Sequence, residues 1–288
     1  MSTIETPRIE RVRQSDIVAT LRTNPASLVG VAIISILGAV AIVGPVFVGD
    51  PQAGELANGL QSPSRRHPLG TDPLGRDVLT RLVYGARLTL GIAVAVTLVR
   101  LVIGIVVGLF AGLFGGVVDE SLMRLVDFML AFPGLVLALV VAGILGSSLR
   151  NALLALAVVG WGSYARVVRG SVLSLREKPF VDAARLAGVS RLRLVVTHLL
   201  PNVLGPIVVL ASLNLGGVLL AASGLSFLGL GAQPPTAEWG TMIASGTPYL
   251  RSAPWLINAP GVAIAIAVLG FNLLGDGIRD ALDAEVGH

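Results

Sequence analysis

The amino-acid sequence predicts an all-α integral membrane protein with six transmembrane helices and both ends on the cytoplasmic side. Three observations predict it. Of 288 residues, 54% are hydrophobic and only 13% charged, against roughly 25% charged in soluble domains. Apolar runs of about 20 residues recur along the whole chain, the length that crosses about 30 Å of hydrocarbon at 1.5 Å per residue. Between two of these runs lies a charged island, residues 166–201, with seven Arg or Lys against the two acids Glu177 and Asp182. A short loop so rich in basic residues marks the cytoplasmic side. No tract is long enough for a separate soluble catalytic domain, so one integral domain is expected over residues 27–276, flanked by cytoplasmic tails 1–26 and 277–288.

Taken in order, the N-terminal tail has Arg8, Arg11, Arg13 and Arg22 against Glu5, Glu10 and Asp16, a basic excess that favours a cytoplasmic start. Ser27 to Val48 begins too late and runs too long for a cleaved signal peptide, and reads as a retained first span. The polar segment 50–87 follows as the longest outer loop. Its end, DVLTRLVYG from Asp77, has apolar residues at helical spacing and is expected to lie along the membrane surface. The second span is placed at Leu88–Leu109 and the third at Val126–Ile144, with GLFGGVVDESLMR as a short inner turn between them. Pro133 predicts a kink in the third. Asn151–Val168 is the fourth span, Val203–Leu220 the fifth and Leu256–Leu274 the sixth. The Gly- and Pro-broken stretch GLSFLGLGAQPPTAEWGTMIASG forms an outer mouth with a short re-entrant helix. Trp239 and Trp255 suit the headgroup level, where amphipathic rings concentrate.

Composition also excludes functions. The formal net charge is +4, but the basic residues border apolar runs, so topology explains them better than nucleic acid does. Without cysteine, disulfides, thiolate catalysis and cysteine metal sites are excluded. The three histidines, His67, His198 and His288, are scattered. No paired His, Asp or Glu cluster lies in the apolar spans, which argues against an intramembrane enzyme. No GxxxxGK[ST] phosphate loop is present, so nucleotide hydrolysis by this chain is not expected.

Within the island, Pro179 suits a helix start, Asp182 suits the positive end of that helix, and Gly188 suits its termination. Ala183, Ala184 and Ala187 give a strongly helical turn with a small-residue face. A second short helix, Arg191 to Leu200, places Leu192, Val195, Val196 and Leu199 on or near one face before Pro201 opens the next span. A compact hairpin suited to a partner's groove results.

The string DAARLAG, followed after nine residues by HLLP, resembles the EAA motif of bacterial ABC importer permeases. In that motif a glutamate, two alanines, a downstream glycine and a terminal proline mark the loop that docks on the ATPase. Here Asp182 stands in place of the glutamate, keeping the charge and shortening the reach by one methylene. GTDPLGRDVLTRLVYGAR (Gly70 to Arg87) and LSFLGLGAQPPTAEWG (Leu225 to Gly240) are similar to the DppC/OppC type of peptide and nickel importers, over about residues 15–284. The resemblance implies the type I ABC importer permease fold in a bacterial inner membrane, with cytoplasmic coupling helices between spans four and five. It implies three kinds of partner besides membrane lipid: a homologous DppB/OppB-type permease, two ABC ATPase subunits, and an extracytoplasmic solute-binding protein. ATP and magnesium belong to the ATPases, and no cofactor is bound by this chain.

The candidate site residues follow. The resemblance assigns ATPase coupling to Asp182, Ala183, Ala184, Arg185, Ala187, Gly188 and Pro201. For Arg185, Arg191 and Arg193 two readings stand, docking contacts or topology markers; His198 reads as structural. Asp72, Arg76 and Asp77 either meet the binding protein at an outer gate or brace their own segment. Arg100, in the second apolar run, costs about 2.5 to 3.5 kcal/mol if it faces lipid. It therefore faces the pathway or the partner permease, pairs with an acid, or marks a misplaced span. Asn214, with Ser212 and Ser223, lines the path or joins helices, and Gly216 and Gly217 allow close helix approach. The function expected is a permease subunit for dipeptides or oligopeptides. Nickel or glutathione uptake is the near alternative, and an ATP-independent secondary carrier the distant one.

Overall fold

The computed structural model of the protein describes residues 24–286. The basic N-terminal tail and His288 lie outside them. Eleven helices are named here: α1 Pro25–Val43, α2 Val78–Phe114, α3 Gly116–Leu130, α4 Gly134–Leu145, α5 Leu149–Gly160, α6 Gly162–Arg176, α7 Pro179–Leu186, α8 Arg191–Leu194, α9 Leu200–Phe227, α10 Trp239–Gly246 and α11 Trp255–Val286. Five stretches are long and apolar enough to cross a membrane. The pair α3 and α4, bent by 91°, makes up to six if it counts as one span.

Small residues let these helices pack closely, as membrane bundles require when hydrophobic burial no longer distinguishes helix from lipid. Gly104, Gly108 and Gly112 recur every four residues along α2 and face α6. A Cβ added to them would lie 2.3 Å from Tyr164 Cβ, 2.5 Å from Ala165 O and 2.7 Å from Val172 Cγ1. Gly30 of α1 and Gly270 of α11 bring those two helices together in the same way, against Leu274 and Ile33. On α9, Gly216 meets Val268 and Asn272 of α11. Substituting valine at Gly108 is expected to separate α2 from α6 and lower the melting temperature of the purified protein by several degrees, an overpacking cost of about 1–3 kcal/mol.

Several boundaries differ from the sequence reading, each for a local reason. DVLTRLVYG does not lie on a surface. It forms the first turns of the 37-residue α2, with Val78, Arg81 and Val83 buried. The third apolar run is not one kinked helix. Pro133 lacks an amide hydrogen and biases its predecessor away from helical backbone, so α3 stops at Leu130 and Pro133 caps α4. The expected inner turn is the corner made by Gly115 (φ 64°) and Gly116 (φ 52°), after which α3 is already helical. The fourth span continues to Arg176 with only a local break at Trp161. The first eleven residues assigned to the island are therefore helix, as are residues 277–286 of the expected C-terminal tail. The short helix expected in the broken stretch is α10.

Candidate functional site

In the hairpin of α7 and α8, α7 is anchored by one buried residue. Val181 is completely buried and belongs to a cluster with Tyr164, Val168 and Val172 of α6, Leu194 and Leu199, and Val203 and Ile207 of α9. Phe180, Ala184 and Val189 pack against the same cluster. At the end of α7 the amide of Ala187 donates to Ala183 O (3.0 Å) and that of Val189 to Ala184 O (3.1 Å). Gly188 turns the chain at φ 75°, a conformation that costs a residue with a Cβ about 1–2 kcal/mol. The opposite face carries Asp182, Ala183 and Ala187, all exposed, with Leu186 at 90% exposure. Arg185 lies in the same helix, and Pro201 sits in the first turn of α9.

A π-helical turn, Val195–Leu199, joins α8 to α9. It changes the face expected for the second short helix. Leu194 and Leu199 are buried, whereas Leu192 and Val196 are 75% and 56% exposed. They add apolar surface beside Leu186 in the chain's own hairpin. The earlier basic residues of the island have structural partners. Arg169 makes a two-pronged ion pair with Asp119 of α3, one prong 2.6 Å. Arg166 reaches Asp127 at 2.5 Å, and Arg176 Nη1 donates to Gly112 O at the end of α2 (2.5 Å). The Arg166 pair is more than half exposed on both sides and contributes little. Arg176 satisfies a carbonyl that the helix end leaves without an amide.

At the other end of α2, the polar segment is folded around Asp72. Its Oδ1 accepts from the amides of Leu74 (2.9 Å) and Arg76 (3.0 Å), and its Oδ2 accepts from Arg76 Nε at 2.6 Å. Arg81 Nε lies 3.7 Å from the same oxygen and its Nη1 donates to Pro51 O and Pro235 O. Asp77 caps α2 by accepting from Thr80 N (2.8 Å), and its other oxygen meets His67 Nδ1 at 2.9 Å. These contacts tie Asp72 to Arg76 and Arg81, and separately Asp77 to Thr80 and His67, so that all three brace their own segment. Between the brace and α10 is a cavity of about 310 Å³, lined in part by Arg76, Arg81, Ser245 and Tyr249.

Arg100 and Asn214 also meet. Both line a cavity of about 300 Å³ between the α3–α4 corner, α5, α6 and α9, with Ser163 and Tyr164. Arg100 Nε donates to Leu156 O at 2.8 Å. The guanidinium lies over Gly160, where an added Cβ would sit 2.1 Å from Cζ. The Tyr164 hydroxyl is buried without a hydrogen bond of ordinary geometry, and Asn214 is the polar side chain beside it. Among the described residues no carboxylate forms an ion pair with Arg100. Ser212, by contrast, donates to Val208 O in its own helix.

Sequence reasoning missed Glu238. This fully buried carboxylate caps α10 by accepting from the amides of Gly240 (3.0 Å) and Thr241 (2.9 Å). Thr241 Oγ1 and Thr89 Oγ1 also donate to it, at 3.1 and 3.2 Å. The Thr89 hydroxyl in turn accepts from the amide of Trp239. Trp239 is buried within the protein, its Nε1 donating to Leu82 O (3.0 Å), while Trp255 Nε1 donates to Thr71 O (3.2 Å). The available signal was the acid directly before an apolar helix, a capping position that usually favours shorter side chains. Glu238→Ala is expected to destabilise the protein by about 1–3 kcal/mol through buried donors left without an acceptor. A melting temperature unchanged from that of the parent protein would contradict this role.

The described residues thus form a bundle of long apolar helices with a small exposed hairpin between α6 and α9. Residues 104–288 match the family described as binding-protein-dependent transport system inner membrane component, and the chain belongs to that family. It is similar to the dipeptide transport system permease protein DppC of Alkalihalophilus pseudofirmus, 44% identical over 267 residues, 92% of this chain and 88% of that one. It is also similar to the nickel transport system permease protein NikC of Escherichia coli (strain K12), 43% identical over 255 residues, 88% of this chain and 92% of that one. Among solved structures, the inward-facing MetNI methionine ABC transporter shares its fold at a TM-score of 0.55 and 22% identity, over 70% of this chain and 97% of that one.

Proposed function

We propose that this chain is the permease subunit of an ATP-driven importer, forming half of a pathway for dipeptides or oligopeptides delivered by a solute-binding protein. It sits in a bacterial inner membrane with both ends cytoplasmic, beside a second permease of the DppB/OppB type and above two ABC ATPases that bind ATP and magnesium. The observation that carries the coupling role is the two-sided hairpin. One face of α7 is anchored through Val181 into α6 and α9. The other presents Leu186 and two alanines outward, in an island whose basic loop marks the cytoplasmic side. A groove in the ATPase takes this face, and motion of the groove passes through the Val181 cluster into the spanning helices. Asp182, Arg185, Gly188 and Pro201 shape the element. Asp72, Arg76 and Asp77 hold the outer rim where the binding protein arrives.

Nickel is the second reading, favoured by the similarity to NikC. Both readings share assembly and differ in cargo. Affinity purification in mild detergent at native expression, followed by mass spectrometry, is expected to recover a second permease and ATPase subunits. Gly188→Val, which strains the turn while meeting no neighbour within 4 Å, is expected to lower ATPase recovery severalfold. Gly188→Asn, which tolerates positive φ better, is expected to retain most of it. Equal recovery in all three proteins would remove the coupling role from this turn.

A further inference from the structure

An arginine inside a membrane bundle needs a reason, because desolvating a guanidinium is costly and is ordinarily offset by an acid, a carbonyl or water. Arg100 has a carbonyl for Nε alone. Its four terminal N–H bonds have no hydrogen-bond acceptor among the described residues, and it lines a cavity of about 300 Å³. Gly160 leaves the space that the guanidinium fills, and any larger residue would occupy the same position. The same cavity is lined by Tyr164, whose hydroxyl is buried without a hydrogen bond of ordinary geometry, and by Asn214 beside it. A planar fork of donors sharing a cavity with a phenol and an amide fits a carboxylate, which accepts from Arg in a two-pronged geometry, while the phenol and amide donate to its remaining lone pairs.

We propose that this cavity is a way-station for a carboxylate of the translocating cargo, with Arg100 as its positive anchor and Tyr164 and Asn214 as neutral donors. The inference rests on the permease reading and sharpens its cargo class. An uncompensated positive charge attracts the free carboxylate of a peptide and repels a bare divalent cation. Nickel would pass this point only within an anionic complex.

The test uses the assembled complex of both permeases and ATPases in nanodiscs without the binding protein, so that the binding protein's own preference does not enter. The probes are one fluorine-labelled dipeptide as the free acid and as its C-terminal amide, with affinity read from fluorine relaxation. The free acid is expected to bind about tenfold more tightly than the amide, the worth of one charge-assisted hydrogen bond. Arg100→Gln should bring that ratio close to one, and Arg100→Lys should keep part of it. Should Arg100→Gln not assemble, Gly160→Ala displaces the guanidinium without removing its charge and should reduce the ratio likewise. A ratio near one in the parent complex, or a tenfold ratio surviving both substitutions, overturns the proposal. So does restoration of an assembly defect by an arginine introduced on the partner permease, which would make the anchored carboxylate the partner's. ATP-driven uptake by the parent complex persists in each of these failures, which separates them from failure of the permease reading.

Discussion

Leu186→Glu is expected to abolish recovery of the ATPase with this chain while leaving the permease folded. The side chain is 90% exposed, so the folded chain loses no buried contact when it changes. A central apolar anchor of an interface contributes about 2 kcal/mol or more, a factor of roughly 30 in affinity. Placing a carboxylate there adds a desolvation cost with no partner arranged to receive it. The check has two readouts on the same preparation: ATPase subunits recovered per permease, and the melting temperature of the permease. Loss of the first with the second unchanged assigns the face. Unchanged recovery would show that α7 docks through other residues or does not dock.

Asp72→Ala is expected to be the most damaging change in the polar segment. Asp72 and Arg76 are 8% and 12% exposed at the side chain, and Arg81 is 7% exposed. Removing the carboxylate leaves two nearly buried guanidinium groups facing each other and frees two backbone amides of their acceptor. Breaking a buried pair from one side costs about 3–5 kcal/mol, much of it the penalty of the charge left behind. Asp72→Asn keeps an acceptor for the amides and should lose less. Limited proteolysis within residues 50–77 reads the difference. Cleavage at the parent rate in Asp72→Ala would mean the segment is held by other contacts, such as Trp255 on Thr71 O.

The contrast between these two sites shows what the sequence makes legible. The hairpin was readable because each requirement falls on a residue type: proline to start, acid in the first turn, glycine to stop, and a basic flank to set the side. Its exposed apolar residues were harder, because the π turn at Val195–Leu199 changes which side chains face inward, and no composition rule announces such a turn. Asp72, Arg76 and Asp77 were legible as a group, yet Arg81, which meets the same Asp72 oxygen, is held by the carbonyls of Pro51 and Pro235, distant in sequence. The Gly104, Gly108, Gly112 stripe was present as a periodic signal and passed unread, although it builds the α2–α6 contact. Arg100 was recognisable as costly from hydropathy alone. That it shares a cavity with Asn214 depends on α2 and α9 coming together, which periodicity within one helix does not carry. Glu238 was hidden for the same reason, since two of its four donors come from hydroxyls and one of those is on α2.

The most direct test of the central claim is uptake of a labelled dipeptide into proteoliposomes holding this chain, its partner permease and the ATPases, with binding protein added outside and ATP enclosed. Accumulation that requires both the binding protein and hydrolysable ATP, and that falls to background with Leu186→Glu, is the predicted result. Accumulation that proceeds equally without ATP and follows an imposed ion gradient would contradict the account and make the chain a secondary carrier.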